Sequence, residues 1–381
     1  MSRITADWIT DGVTQKICHM LTDAGHDCFF VGGCIRNELL KAPVNDIDIS
    51  TNALPERVME LANKAGLHSI PTGIDHGTVT VVASGTPFEI TTYRRDIETD
   101  GRRAVVAFSD NIVDDARRRD FTMNALYADQ DGTILDPLDG MPDLLSRRVR
   151  FIEDADRRIK EDYLRILRFF RFHAWYGDAN EGLDAEGLAA SAANLAGLES
   201  ISKERVGSEL KKLLSSPDPA PSIASMAACG ILNSILPGAE AKYLPVLVHL
   251  EGDTKPNPIR RLAILGGDDA DKFLRLSKAE ARELKILRAD IGSTRNPAEL
   301  GYRLGSELAH DVLLLRAALF EMPIDPNAAN QIELGAKAKF PIVAANLMPE
   351  YQGVKLGEKL SELEAKWISS GFVLTKEQLL A

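Results

Sequence analysis

Two aspartates one residue apart, Asp46 and Asp48 in "NDIDIST", follow a glycine pair, Gly32 and Gly33 in "FFVGGCIRN". A third acid, Glu89 in "PFEITTYRRD", comes some forty residues later. In a strand, residues two apart project to one face, so Asp46 and Asp48 would present adjacent carboxylates. Such a pair repels unless a cation sits between its members, and hard oxygen ligands of this kind suit Mg²⁺. A solvated acidic edge strand is the plainer meaning of an isolated Asp-x-Asp. Glu89 follows Phe88 in an alternating β-rich run and is expected to share a face with Thr91 and Tyr93. If that run pairs beside "DIDIS", three carboxylates converge, enough to hold two metal ions. That arrangement activates an attacking oxygen and stabilises a leaving one at phosphorus. The glycines add an anion site. Backbone without Cβ approaches a ligand closely, and a helix starting at once offers unpaired N–H groups. Arg36, one turn in, could add a bidentate phosphate contact. A plain tight turn would use the same two glycines.

A second group of polar residues follows. "DARRRDFTMNALY" carries three consecutive arginines, 117 to 119, then Asp120 and Asn124. The arginines could meet a triphosphate, while Asp120 and Asn124 could hydrogen-bond ribose hydroxyls. A charge cluster capping a helix is the alternative. In "EDYLRILR", read as one helix, Glu161 and Arg165 are i,i+4 and Asp162 and Arg165 are i,i+3. A solvated salt bridge is the ordinary meaning of this spacing. It also has a polarity that could read a base. Cytosine and adenine each present an amino donor beside a ring-nitrogen acceptor, whereas uracil and guanine present the reverse. An accepting carboxylate next to a donating guanidinium therefore admits C and A. His310-Asp311 in "ELAHDVLLL" lacks the further His and Asp ligands that metal-dependent phosphohydrolase chemistry needs, and reads as a helical surface pair.

These residues need an α/β frame. Residues 7 to 24 have helical periodicity, "DCFFV" is a short strand, "IRNELLK" a short helix and "DIDIS" a second strand. "GTVTVVA" and "FEITTYR" are alternating runs joined by the hairpin signal "SGTP". Between 94 and 110, "RRDIETDGRRAVVAFSD" is polar and glycine-containing, which suits a mobile loop. From about 155 strand alternation vanishes and helical spacing takes over, with "SSPDPAPS" (215–222) and "EGDTKPNP" (251–258) as interhelical connections. The expected fold class is thus an α/β head, a small mixed sheet with helices, followed by an all-α C-terminal portion.

Composition sets the outer limits. The chain has 381 residues, 45% hydrophobic and 27% charged, an ordinary globular balance for two or three domains. No apolar run approaches the roughly 18 to 20 residues of a membrane span, and "MSRITADWIT" lacks a signal core. The four cysteines show neither CxxC pairing nor metal spacing, which fits free thiols in a reducing cytoplasm. A net charge of −11 excludes broad coating of nucleic acid and leaves room for a local basic groove.

The motifs taken together resemble the class II tRNA nucleotidyltransferase (CCA-adding enzyme) and bacterial poly(A) polymerase family. The glycine-pair–Arg turn, the Asp-x-Asp strand and the acidic strand come in family order. They are followed by "RRDFTMNALY", "DPLDGMPDL", "EDYLRILR" and "ERVGSELKKLL", so the likeness covers about residues 28 to 214. It implies a nucleotidyltransferase head over 1–139, a helical neck with base recognition over 140–214, and a tRNA-binding helical body and tail over 215–381. It implies Mg²⁺ at Asp46 and Asp48, with Glu89 positioning or activating the primer hydroxyl. The triphosphate and ribose fall to Gly32, Gly33, Arg36, Arg119, Asp120 and Asn124. Base choice falls to Asp162 and Arg165, with Arg168 one turn on against phosphate or base. The expected partners are tRNA, CTP and ATP, with no membrane. The 94–110 segment points to addition of the final A, since family members that add only C lack much of it. One position departs: the family usually has Asp where this chain has Asn37. A poly(A) polymerase usually brings a basic tail, which "SELEAKWISSGFVLTKEQLLA" is not, and a silent binding protein needs no metal carboxylates. Full CCA addition versus A addition alone, and oligomeric state, stay open at this level.

Overall fold

The computed structural model describes residues 3–100, 103–178 and 180–381, with backbone alone for 96–100 and 103–106. The chain forms two compact units, Met1–Pro237 and Gly238–Ala381. In the first, seven strands make one sheet: β1 (Phe29–Val31), β2 (Asp48–Thr51), β3 (His68–Gly73), β4 (Thr78–Ala83), β5 (Thr86–Thr92), β8 (Tyr127–Ala128) and β9 (Ile134–Leu135). Their spatial order is β3-β4-β5-β2-β1-β8-β9. Every neighbouring pair is antiparallel except β2 and β5, which run parallel.

Parallel neighbours cannot be joined by a tight turn. The crossover from β2 to β5 is made by the helix Pro55–Lys64 and the strands β3 and β4. That helix starts with Pro55 in its first turn and buries Val58, Leu61 and Ala62 along one stripe. The β4–β5 hairpin turns at Ser84 and Gly85, both at positive φ (51° and 84°), which matches the twist of the flanking strands. Val79, Val81, Ala83, Phe88 and Ile90 alternate into the core.

Several sequence expectations change. The run at 7–24 is interrupted at Asp11, whose side chain accepts hydrogen bonds from the Val13 and Thr14 amides and so starts a new helix, Gly12–Thr22. Segment 94–110, expected as a mobile loop, is an antiparallel ribbon of β6 (Arg94–Asp100) and β7 (Arg103–Phe108) outside the main sheet. Residues 101 and 102 of that segment lie outside the described residues. Its root is fixed: the Ser109 amide donates to the Tyr93 carbonyl at 2.8 Å, and the Phe108 ring lies against Gly77, where a Cβ would stand 2.9 Å away. Tyr93, expected beside Glu89 and Thr91, follows the end of β5 and is fully buried, while Glu89 is exposed.

Among the described residues no strand follows Leu135. The helices Ala155–Glu161, Leu164–Tyr176 and Lys203–Leu214 complete this part of the first unit. An aromatic cluster fastens the helix Leu164–Tyr176 to the head: the Phe121 ring stands 4.9 Å from both Phe151 and Phe172, and Phe151 stacks on Phe169 at 5.5 Å.

The second unit is helical and has its own cores. Trp367 packs among Tyr302, Phe340 and Phe372. Glu251 receives both Arg260 and Arg261, and Arg260 also donates to Asp311 at 2.6 Å, with all four residues buried. Asp311, expected as half of a surface pair, is therefore an interior counter-ion. No helix among the described residues is long and apolar enough to cross a membrane. The helices Pro297–Leu304 and Ala328–Lys337 cross in near backbone contact. An ideal Cβ at Gly335 would lie 1.8 Å from the Ala298 carbonyl oxygen, and one at Gly301 2.1 Å from that of Ile332. Gly335→Ala should therefore push the pair apart and cost about 1–3 kcal/mol. Urea denaturation should show the midpoint falling with an unchanged slope, and an unmoved midpoint would mean the crossing yields freely.

Candidate active site

The register of the central strands sets the site. β1 runs antiparallel to β2 with Phe29 opposite Ser50 and Phe30 opposite Ile49. Carried one residue further, this places Val31 opposite Asp48, so the glycine turn begins beside the first residue of β2. Gly32 sits at φ 71°, ψ −113°, a conformation only glycine adopts without strain. Gly33 opens the helix Gly33–Leu39. Cys34 donates to the Val31 carbonyl at 3.4 Å, which ties helix to strand, and burial pushes its thiol up to about 11. This thiol is a packing group and not a nucleophile.

On the other side of β2, the parallel register sets Asp48 opposite Glu89. The expected pairing of the two acidic runs is thus present. Asp46 is exposed and precedes the strand rather than lying in it. Among the described residues no three acidic, His or Cys side chains close into a ready-made metal cage. The three acids form an open set: an opposed pair and a third nearby. The Asp48 carboxyl is pushed up to about 6, first by burial, then by Glu89 and Asp46, against the pull of Arg119 and Arg36. An all-oxygen donor set with surplus negative charge at the rim of a glycine turn fits a hard divalent cation.

The arginines around this rim are held by buried carboxylates. Asp115, fully buried, accepts from Arg118 Nε at 2.8 Å, Arg119 Nη2 at 3.0 Å and Tyr127 Oη at 2.9 Å. Arg119 stands over the turn, within 3.3 Å of where a Gly32 Cβ would be. Burial pushes the Asp115 carboxyl up, but Arg119 and Arg118 outweigh it and hold it well below the usual range. Arg117, by contrast, is exposed and only loosely paired with Glu153 at 3.5 Å.

Asp120 and Asn124 come together as expected. Asn124 Nδ2 donates to Asp120 Oδ1 at 2.9 Å. The other Asp120 oxygen accepts from Arg168 Nε at 2.8 Å. Asn124 Oδ1 accepts from Arg36 Nη1 at 2.6 Å. Arg36 also donates to Tyr176 Oη at 2.9 Å and lies 4.0 Å from that ring's centre. Arg36 is 7% exposed; its guanidinium braces Asn124, and its Nη2 lies 3.9 Å from where a Gly33 Cβ would be, beside the turn. Arg168 braces Asp120 in the same way.

The segment 161–168, expected as one helix, is broken. The helix Ala155–Glu161 ends, Asp162 is extended (φ −152°, ψ 105°), and the helix Leu164–Tyr176 begins. The expected i,i+4 pair survives the break, while Asp162 takes another partner. Arg165 Nη1 donates to Glu161 Oε2 at 2.6 Å and to the Arg158 carbonyl at 2.7 Å. Asp162 Oδ2 instead accepts from Arg205 Nη2 at 2.8 Å.

Comparison with known proteins decides what this arrangement belongs to. Residues 28–150 match the family profile "Poly A polymerase head domain", and 183–243 match "Probable RNA and SrmB- binding site of polymerase A". The mouse mitochondrial CCA tRNA nucleotidyltransferase 1 is 31% identical over 98% of this chain and 89% of its own length. A CCA-adding enzyme of Geobacillus thermodenitrificans is 35% identical over 81% of this chain and 78% of that enzyme. The chain belongs to the CCA-adding tRNA nucleotidyltransferase family. Its fold agrees with the crystal structure of the Bacillus stearothermophilus CCA-adding enzyme in complex with CTP, with a TM-score of 0.78, 29% identity and 94% of each chain covered.

Around this site, sequence reasoning overlooked Asp115, Tyr176 and Arg205. Asp115 reads as one more acid in "VDDARRR", and only its i,i+3 and i,i+4 spacing to Arg118 and Arg119 hinted at its role. Asp115→Asn should leave the two arginines short of counter-charge and cost about 3–5 kcal/mol at neutral pH. Because the folded carboxyl lies below its unfolded value, its contribution is complete above the ordinary aspartate value of about 4. That contribution is lost as pH falls below 4 toward the depressed folded value. Urea denaturation of wild type and variant should thus differ widely at pH 7 and less at pH 3. A constant difference would overturn this account.

Proposed function

We propose that this protein builds and repairs the 3′-terminal CCA of tRNA from CTP and ATP without a nucleic-acid template. The observation that carries the reading is the parallel pairing that sets Asp48 opposite Glu89 beside the Gly32–Gly33 turn. It stands in a chain whose relatives are named for that reaction. The primer 3′-hydroxyl attacks the α-phosphorus of the bound nucleotide and pyrophosphate leaves. Asp46 and Asp48 are the residues that would hold Mg²⁺, and Glu89, exposed at the same edge, positions or activates the hydroxyl. When bound, the cation supplies Lewis-acid stabilisation of the charge that develops on phosphate.

The chain's own groups do the remaining work. The Gly33 backbone N–H and the Arg119 guanidinium receive the triphosphate, with Gly32, whose own N–H donates to the Leu126 carbonyl, leaving bare backbone beside them. Asp120 and Asn124 meet the ribose hydroxyls, and Arg36 and Arg168 hold those two side chains in place. Asp162 accepts from the amino group of C or A, and Arg165 donates to the ring nitrogen. The β6–β7 ribbon fits an enzyme that adds the terminal A as well as both Cs. Residues 1–139 act as catalytic head, 140–214 as base-reading neck and 215–381 as the part that grips tRNA by shape. All four cysteines are free, which fits work in a reducing cytoplasm.

The test supplies tRNA lacking CCA, tRNA ending in C and tRNA ending in CC, with CTP and ATP separately and together. Wild type should complete all three when both nucleotides are present. Asp48→Ala should lose C and A addition alike by at least about a hundredfold, since several kcal/mol of transition-state stabilisation goes with the cation. Its tRNA affinity in a gel-shift should be unchanged. Near-normal turnover of the variant in Mg²⁺ would sink the assignment.

A further inference from the structure

The two side chains assigned to base reading are held by different partners, and one partner has no role so far. Asp162 lies at the break between two helices. Its Oδ1 accepts from the Leu164 amide at 3.1 Å and its Oδ2 from Arg205 Nη2 at 2.8 Å. One hydrogen bond on each oxygen fixes the plane of the carboxylate and leaves further lone pairs for a donor on the base. Arg205 comes from a distant segment, on the helix Lys203–Leu214, whose N-terminus is capped by Ser202 through the Arg205 amide itself. That helix is tied to Leu164–Tyr176 by Arg171 and Glu209 at 2.6 Å. The guanidinium therefore reaches Asp162 from a rigid support. Arg165 is fastened independently, through Glu161 and the Arg158 carbonyl.

We infer that Arg205 is a positioning residue for nucleotide choice: it aims the Asp162 carboxylate at the base and sets its separation from Arg165. This rests on the proposed reading of Asp162. The side chains of Arg205 and Asp162 are 35% and 29% exposed, so a base can reach the carboxylate while the arginine holds it. An ion pair this open contributes at most about 1 kcal/mol to stability. Its loss should leave the fold intact and appear instead in selectivity, because a misaimed acceptor no longer distinguishes C and A from U and G. Charge is not the whole requirement. Arg205 presents a planar fork from a fixed stem, whereas lysine would offer a single mobile point charge.

The experiment measures kcat/KM for CTP, ATP, UTP and GTP on tRNA lacking CCA and on tRNA ending in CC, with wild type, Arg205→Met, Arg205→Lys, Asp162→Asn and the Arg205→Met/Asp162→Asn double variant. Thermal denaturation is run alongside. Arg205→Met should lose roughly tenfold with CTP and ATP and little with UTP and GTP, which narrows the preference by about that factor. Arg205→Lys should recover part of the loss. In the Asp162→Asn background, Arg205→Met should have little further effect, because the arginine acts through that carboxylate. Equal losses with all four nucleotides, unchanged selectivity, or a full multiplicative effect in the double variant would overturn the inference. The underlying reading is tested separately. If Asp162→Asn alone leaves selectivity untouched, the base-reading role of Asp162 fails and the inference falls with it. If Asp162→Asn narrows selectivity and Arg205→Met does not, the inference alone fails.

Discussion

Two carboxylates on adjacent parallel strands repel one another, and the head of this protein is built around keeping them there. Parallel strands in register put Asp48 and Glu89 side by side about 5 Å apart, where like charges cost about 1 kcal/mol in water and more as water is withdrawn. No local connection can produce that pairing. It requires the whole excursion from β2 through the helix Pro55–Lys64 and the β3–β4 hairpin before β5 can return alongside. The hydrophobic alternation of β4 and β5 and the left-handed turn at Ser84–Gly85 hold the register. A one-residue slip would carry Glu89 to the buried face and Phe88 to solvent. The core's burial energy thus enforces an electrostatic arrangement that would not form by itself.

The positive charges are handled by the complementary device. Five arginines close to the nucleotide region are each paired with a carboxylate: Arg118 and Arg119 with Asp115, Arg168 with Asp120, Arg165 with Glu161, and Arg205 with Asp162. Arginines free to rotate would gain little from meeting a phosphate or base, since they would lose rotamer entropy on doing so. Fixed in advance, they offer donors whose ordering has already been met by folding. The cost appears in the buried anions. Burial alone would drive the Asp115 and Asp120 carboxyls upward, and their arginines, helped by hydrogen bonds from Tyr127 and Asn124, hold them well below the usual range.

Local pattern carried much of this arrangement. The glycine turn, the strand at Asp48, the acidic strand at Glu89 and the helical texture after residue 155 all follow from period, turn chemistry and β-branched content. The β2–β5 pairing has no local signal, because register between strands forty residues apart is a tertiary fact. The break at Asp162 escaped because "EDYLRILR" has good helical spacing throughout, and nothing local marks where Asp162 leaves helical geometry and its side chain accepts the Leu164 amide. Arg205 escaped for the opposite reason: its partner lies 43 residues away, beyond any window. Asp311 misled in a third way, since an acid on a helix reads as solvated until a buried arginine on another helix claims it.

Asn37, where the family usually carries Asp, has a physical reason in this chain. Its Oδ1 accepts from Arg36 Nε at 3.1 Å and Nη2 at 2.8 Å, while its Nδ2 donates to the Pro43 carbonyl at 2.8 Å. The amide orientation follows from both neighbours, since the guanidinium needs an acceptor and the carbonyl needs a donor. A carboxylate would satisfy Arg36 more strongly through its charge, but its second oxygen would face the Pro43 oxygen with no proton between them. Pro43 begins the stretch that leads to Asp46, after the chain has turned through Lys41 at φ 57°. The amide therefore joins two parts of the site with one side chain: the arginine that braces Asn124 and the segment that delivers the first acid. Charge at position 37 is given up, and a tie to the Asp46 segment that a carboxylate could not make is gained.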